Sequence, residues 1–138
     1  MEPKWLTVEY VKALHSESVA MFGGTDGVRD SGLLESALER PRNLHAYGER
    51  PTIHQLAAAY CFGIVKNHPF LDGNKRTGDL AIRAFLFRNG YLYEPDEAEE
   101  ASTIIAVAAG ELDESSLADW IAANAVAADD TTDGEPPG

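Results

Sequence analysis

Apolar residues recur three or four positions apart along most of the chain, and this spacing predicts helices almost throughout. The clearest helix runs from Ile53 to about Asn67, after a capping box at Thr52-Ile53-His54-Gln55. It is apolar almost all round, which is typical of a helix buried at the centre of a bundle. A second strongly helical run extends from Arg76 to Asn89, where Asn89-Gly90 ends it. The pattern therefore predicts an all-α, single-domain bundle with two central helices.

The other predicted elements are shorter and lie on either side of these two helices. In chain order they are a helix capped by Thr7 that runs to about Met21 and stops at Gly23-Gly24, a loop over Thr25–Asp30, a helix over Gly32–Glu39 that Asp30 or Ser31 caps and Pro41 ends, a loop over Arg42–Pro51, a short extended piece at Tyr91–Tyr93, an acidic helix over Ala98–Ala109, and a final helix over Leu117–Ala127 capped by Asp113 or Ser115.

Composition narrows the class of protein. Of the 138 residues, 44% are hydrophobic, yet no apolar run approaches ~20 residues and no signal segment opens the chain, so we expect a cytoplasmic protein without a membrane segment. The one cysteine, Cys61, lies in an apolar run and is interpreted as a small buried hydrophobe. Residues 129–138 hold four acidic and no basic residues, so residues 1–127 are predicted to form the domain and 128–138 a disordered acidic tail.

The charge distribution bears on the ligand. The net charge of −12 argues against direct binding of nucleic acid, which requires a basic face. The stretch from Lys66 to Arg88 is different, because it carries five basic residues against two acidic ones. A basic island in an acidic protein indicates a local anion site, although scattered solvated helix charges would give the same count.

One short segment, His68 to Gly78, combines residue types suited to chemistry on a phosphate. His68 can take a proton from a hydroxyl near neutral pH. Asp72 is a hard oxygen donor suited to Mg²⁺, although an Asp-Gly pair is also ordinary turn chemistry. Gly73 lets the backbone approach an oxyanion closely.

The residues that follow begin the second central helix. Asn74 either bonds a phosphate oxygen or caps the helix, and the sequence does not separate the two. Lys75 and Arg76 place positive charge at a helix N-terminus, where it opposes the helix dipole, so an anion partner is the better explanation. Arg83, two turns further along the same face, is a weaker candidate for the same site.

The segment His68-Pro69-Phe70-Leu71-Asp72-Gly73-Asn74-Lys75-Arg76 resembles the signature of Fic-fold proteins, in detail that of their death-on-curing (Doc) branch. The stretch from Arg29 to Pro41 is similar to the upstream segment of that branch, and the resemblance covers about Leu6 to Leu92. It implies the Fic helical fold, with the motif loop joining the two central helices. It also implies ATP or another nucleoside triphosphate as co-substrate with Mg²⁺ on Asp72, and transfer of a nucleotide-derived group to a protein hydroxyl.

Departures from the general Fic pattern, HPFxxGNGRxxR, decide which group is transferred. Lys75 stands where that pattern has its last glycine, and Asp79 where it has a second arginine. Both changes match the Doc branch. The type member of that branch phosphorylates elongation factor Tu and binds its nucleotide in the reversed orientation. The resemblance therefore implies a toxin that transfers the γ-phosphate and inhibits translation, with His68 and Lys75 as catalytic residues and Gly73, Asn74, Lys75 and Arg76 binding the phosphates. A Fic-type AMP transferase and a catalytically silent protein-binding module remain as alternatives.

Control and substrate guidance are also implied by the resemblance. Many Fic proteins carry an inhibitory helix of the form (S/T)xxxE(G/N), and the closest match here, Ser31 to Ser36, ends in serine instead. An antitoxin protein acting in trans is therefore expected, as in a toxin–antitoxin system. His45 and Tyr47 are expected in a loop that forms a flap over the target segment and guides it by backbone pairing.

Overall fold

The helix that follows the capping box at Thr52 is the centre of the molecule, as its all-round apolar pattern predicts. The computed structural model describes residues 2–128. Its elements in chain order are α1 (Val8–Phe22), α2 (Ser31–Tyr47), α3 (Ile53–Asn67), α4 (Asn74–Arg88), β1 (Tyr91–Tyr93), α5 (Glu97–Ala108), α6 (Glu114–Ala123) and β2 (Ala125–Ala127).

Helix α3 is covered on three sides, by α2, α4 and α6. Six consecutive residues, Leu56–Cys61, are at most 2% exposed, so almost every side of this helix contributes apolar surface to the core. Gly78 allows α4 to approach closely, because a Cβ there would lie 2.8 Å from the Cγ2 atom of Val65. This close crossing sets the distance between the two helices that the motif loop joins.

The main sequence predictions for the fold are confirmed. The domain is helical apart from a two-stranded sheet, and α3 and α4 are the two central helices with the motif loop between them. Both reciprocal hydrogen bonds of the capping box are present, from Gln55 N–H to the Thr52 hydroxyl (3.1 Å) and from Thr52 N–H to the Gln55 side chain (2.8 Å). Cys61 is buried, as predicted, and burial raises the pKa of its thiol.

The prediction that Pro41 ends a helix is wrong. Helix α2 continues through this residue to Tyr47, so the predicted loop over Arg42–Pro51 shrinks to residues 48–52. A proline inside a helix removes one N–H donor, here the partner of the Ala37 carbonyl. That carbonyl packs against α3, since a Cβ on Gly63 would come within 3.2 Å of it. Burial of Pro41 itself against the core favours continuing the helix.

The predicted final helix is too long at its C-terminal end. Helix α6 ends at Ala123, and Asn124 caps it by donating from its side-chain amide to the Trp120 carbonyl (2.9 Å). The next three residues form β2, which pairs antiparallel with β1 and places Val126 opposite Leu92. The predicted acidic tail lies outside the described residues except for Ala128.

Candidate active site

The two ends of the motif loop face one cavity of about 470 Å³. Helix α3 ends at Asn67 with His68 as its C-cap, and α4 begins at Asn74. The residues that line the cavity are Val65, His68, Asp72, Gly73, Asn74, Lys75, Arg76 and Ala108. All six residues predicted from the sequence to form the site therefore meet in one place. The volume lies within the range that small-molecule ligands occupy.

The N-terminus of α4 differs from those of the other described helices. A Thr or Asp side chain accepts a hydrogen bond from the first turn in each of α1, α2, α3, α5 and α6. Helix α4 instead begins after Gly73, which is in the left-handed conformation with φ of +77° and makes no side-chain cap. Its first N–H groups thus keep their capacity to bind an anion, and the helix dipole adds to that preference.

Two cations stand beside this helix end. Lys75 and Arg76 are both exposed at the first turn of α4. The Arg76 guanidinium lies over the ring of Phe22, 4.5 Å from the ring centroid. Stacking on an aromatic face limits the directions in which the guanidinium can point. The helix end and its two cations together make a candidate anion site.

Asn74 anchors the motif loop. Its side-chain oxygen accepts from the Phe70 N–H (3.0 Å), and its amide nitrogen donates to the Phe70 carbonyl (3.0 Å). The same amide nitrogen lies 3.1 Å from Nδ1 of His68, to which it donates. Asn74 is 4% exposed, and its side chain holds the backbone of the motif loop, which is neither of its two predicted roles.

The contact with Asn74 selects a tautomer of His68. Because Nδ1 accepts a hydrogen bond, the neutral ring carries its proton on Nε2. Nε2 can accept a proton only in the other neutral tautomer, in which the ring proton lies on Nδ1 instead. The ring is exposed at the cavity rim, where exchange with solvent gives access to that tautomer.

Arg29, which the sequence interpretation gave no role, holds the end of α3. Its side chain donates to the carbonyls of His68 (2.8 Å) and Asn67 (3.0 Å). Its backbone N–H and that of Asp30 donate to the Pro69 carbonyl (2.7 and 3.0 Å). A cation on the last carbonyls of a helix is favourable, and this one also fixes the backbone beside the catalytic candidate.

The segment from Gly27 to Asp30 runs antiparallel to the motif loop. Val28 pairs with Phe70 in an isolated bridge, and the Leu71 N–H donates to the Gly27 carbonyl (3.0 Å). The predicted flap was placed in the wrong segment, because His45 and Tyr47 belong to α2. The segment that borders the motif loop is Gly27–Asp30.

Asp72 is exposed, and its carboxylate accepts two backbone hydrogen bonds, from Gly73 N–H (2.9 Å) and Thr25 N–H (3.2 Å). Each oxygen keeps a further lone pair, and the side chain lines the cavity beside the anion site. This suits Mg²⁺, which proteins hold through one or two carboxylates together with substrate phosphates. Among the residues that the structure describes, no three His, Cys, Asp or Glu side chains cluster as metal ligands, so phosphates and water would complete the shell.

Arg83 does not reach the cavity. It forms a bidentate ion pair with Glu100 of α5 (2.9 and 2.5 Å) and lies over the ring of Tyr93. Burial raises the pKa of the neighbouring Asp79 to about 8, helped by its hydrogen bond to Glu100. Burial opposes the ionisation of Glu100, but hydrogen bonds from Arg83 and Asp79 lower its pKa. This buried cluster joins α4 to α5.

Other cavities of comparable size lie elsewhere on the part of the chain that the structure describes. One of about 520 Å³ lies between α2, α3 and α6, where Arg40 and Glu114 form an ion pair. Another of about 560 Å³ lies between α1 and α2. Neither is lined by a histidine, and the helix N-termini that border them are capped by Thr7, Asp30 and Asp113, so we place the candidate site in the cavity at the motif loop.

Comparison with known proteins identifies the class. Residues 5–86 match the model of the Fic/DOC family, and the chain belongs to this family. Members of the family use nucleotide co-substrates. Within residues 2–128, no helix is both long enough and apolar enough to cross a membrane.

Two particular relatives are Doc proteins. The chain is 33% identical over 116 residues to the protein kinase doc of Escherichia phage P1, a match that covers 84% of this chain and 91% of the phage protein. It is 37% identical over 112 residues to the toxin Doc of Mycolicibacterium smegmatis (strain ATCC 700084 / mc(2)155), covering 78% of this chain and 85% of that toxin.

Proposed function

We propose that this protein is a Doc-type toxin that transfers the γ-phosphate of ATP or a related nucleoside triphosphate to a protein hydroxyl. The observation that carries the proposal is the end of α4, where uncapped N–H groups, Lys75 and Arg76 face the same cavity as His68 and Asp72. Phosphoryl transfer requires positioning and neutralisation of charge more than covalent help from the protein. A base, an oxygen ligand and an anion site in one cavity meet that requirement.

The roles follow from the geometry of the residues. The N–H groups at the start of α4 bind phosphate oxygens, and Lys75 and Arg76 neutralise their charge. Asp72 would hold Mg²⁺, which neutralises charge on the phosphates when it is bound. His68 accepts the proton of the attacking hydroxyl at Nε2, in the tautomer protonated at Nδ1. In that tautomer Nδ1 and the Asn74 amide are both donors, so they can no longer share a hydrogen bond. Binding of substrates is therefore coupled to a turn of the His68 ring away from Asn74.

Two observations favour γ-phosphoryl transfer over AMP transfer. Lys75 is a long cation at the helix end where the general Fic pattern has a glycine, and Asp79, at the position of that pattern's second arginine, lies with Glu100 and Arg83 and adds no cation to the cavity. The relative from phage P1 is named a protein kinase. A Fic-type AMP transferase is the alternative that the family membership itself supports.

The partners are proposed on the same basis. The target is a protein hydroxyl on a translation elongation factor, elongation factor Tu, so translation stops when the toxin acts. The outer backbone edge at Val28, whose N–H and carbonyl face away from the motif loop, is the edge along which a target segment would pair. An antitoxin protein acting in trans controls the toxin, and the site of action is the cytoplasm.

Two parallel incubations test the function. Purified protein is mixed with elongation factor Tu and Mg²⁺, once with ATP labelled at the γ-phosphate and once with ATP labelled at the α-phosphate. Label from γ alone is expected. Label from α would instead make the protein an AMP transferase, and label from neither would favour another target or the silent binding module. A thermal shift with Mg²⁺ and ATP separates these last two, because a module without a nucleotide site shows none.

A further inference from the structure

His15 is a buried polar residue for which the proposed chemistry has no use. It lies on α1, is 1% exposed and packs its ring flat against Phe70, with 3.9 Å between ring centroids and 8° between ring planes. It does not line the cavity. A polar side chain buried in the core requires a structural explanation or a functional one.

Both ring nitrogens of His15 have partners on different segments. Nε2 lies 2.7 Å from the carbonyl oxygen of Asp72, and because a carbonyl only accepts, Nε2 is the donor. Nδ1 lies 3.4 Å from Oδ1 of Asp26, which also accepts from the Ser16 hydroxyl (3.1 Å). The ring therefore connects α1, the loop before α2, and the motif loop.

The bond to Asp72 acts on the peptide group that joins Asp72 to Gly73. Its carbonyl is held toward α1, so the N–H of Gly73 points the opposite way, where it donates to the Asp72 carboxylate (2.9 Å). The His15 ring also lies beside Gly73, since a Cβ there would be 3.6 Å from Nε2. One hydrogen bond thus fixes the direction of the Asp72 side chain and the entry into α4.

We infer that His15 is a positioning residue, which aims the Asp72 carboxylate and the open end of α4 through the Asp72–Gly73 peptide. The inference rests on the proposed function for its kinetic consequence. Residues that orient a metal-binding group in this way typically alter metal affinity or activity by about 10- to 100-fold when they are lost. His15 touches no substrate, so its effect should fall on Mg²⁺ dependence and kcat.

Two variants of similar side-chain length separate the hydrogen bond from packing. His15→Gln keeps an N–H donor at about the distance of Nε2, whereas His15→Met fills the space without one. In γ-phosphate transfer, His15→Met should raise the Mg²⁺ concentration for half-maximal rate and lower kcat by about 10- to 100-fold, with KM for the target protein unchanged. His15→Gln should stay near wild type.

An activity-independent measurement accompanies the kinetics. In ¹⁵N spectra of the protein titrated with Mg²⁺ and a non-hydrolysable ATP analogue, the amides of Gly73 and Thr25 should shift in wild type and His15→Gln, and require more Mg²⁺ in His15→Met. If His15→Met fails to fold, His15→Leu replaces it, because leucine also occupies the site without an N–H donor for the Asp72 carbonyl.

Equal behaviour of the Gln and Met variants, or an unchanged Mg²⁺ requirement in His15→Met, would overturn the inference. Failure of the proposed function is distinguishable from this outcome. If wild-type protein transfers no label, the transfer rates cannot be compared among the variants. The amide titration alone then decides whether His15 positions the site.

Discussion

His68 is held in a backbone conformation that few residues adopt. Its φ and ψ of +53° and +53° lie in the left-handed region, where a non-glycine residue is uncommon. The conformation ends α3 and turns the chain into the motif loop, which leaves the ring at the rim of the cavity. Such backbone strain persists where surrounding contacts enforce it, and here Arg29 supplies them through two carbonyls.

Replacing this ring should affect the chemistry and leave the fold intact. We expect His68→Ala to lower the rate of γ-phosphate transfer by about 10²- to 10⁴-fold, the usual contribution of a general base. The melting temperature should stay nearly unchanged, because the side chain is exposed. His45→Ala, on α2 and away from the cavity, is the matched control. Transfer at the wild-type rate by His68→Ala would exclude His68 as the base.

The charge of Lys75 should determine which phosphate is transferred. Lys75→Gly is expected to weaken γ-phosphate transfer and to permit some AMP transfer, measured with the two labelled forms of ATP. Glycine also weakens a helix by about 1 kcal/mol relative to alanine, so Lys75→Ala isolates the loss of charge. If both variants transfer the γ-phosphate at the wild-type rate, Lys75 has no part in the site.

At the scale of elements, the start of α4 depends on the backbone freedom of one glycine. Gly73→Ala introduces a side chain at φ of +77°, which costs about 1–2 kcal/mol in the left-handed region. Gly90→Ala is a matched control at φ of +83°, with no atom within 4 Å of the added Cβ. Both variants should lose similar stability in urea unfolding, and only Gly73→Ala should lose nucleotide affinity. Equal affinity in the two would mean that α4 does not bind the phosphates.

The bounds of a helix were predictable from the sequence where a local pattern determines them. Thr52 and Gln55 specify the start of α3 within four residues, so no distant contact is needed to place it. Pro41 is the opposite case, because its effect on α2 depends on packing against α3. The apolar spacing of Ala37, Pro41 and Leu44 does continue through the proline, and giving it more weight than the proline would have extended the helix.

The candidate site was largely predictable because its six proposed residues fall within nine positions of one motif. The residues that hold the motif loop in place were not predictable from the sequence. One of them, His15, lies on the buried face of α1 with Val11 and Val19. A histidine four residues after Val11 carries no local sign that its partner is a carbonyl 57 residues away.

At the scale of the whole molecule, the packing of α4 against α5 should depend on pH. Asp79 faces Glu100, Arg83, Tyr93 and Cys61, and its pKa is raised by burial from 3.8 to about 8. The pKa of Asp79 is higher in the folded than in the unfolded state. Asp79 therefore contributes its full stabilisation of the folded protein below pH 4, and this contribution is lost as pH rises through about 8.

Asp79→Asn removes this titration and keeps a donor for Glu100. The variant should therefore gain stability relative to wild type between pH 6 and pH 9, by about 1–3 kcal/mol in the free energy of unfolding. His54, whose pKa is lowered by burial, titrates in both proteins and cancels in the comparison. Asp113→Asn, at an exposed helix cap, is the control without a pH-dependent gain. A constant difference between wild type and Asp79→Asn would show that the carboxyl is ionised throughout.

The covering of α3 by α6 has a consequence for biosynthesis. Every residue of the proposed site, including His15 and Arg29, has been translated by Gly78, but one face of α3 stays uncovered until α6 ends about 45 residues later. At about 5–20 residues per second, the ribosome takes a few seconds to add that length. The nascent chain holds all of the site in that interval without the core that fixes it. The core that fixes the proposed site is thus complete only once α6 has been made.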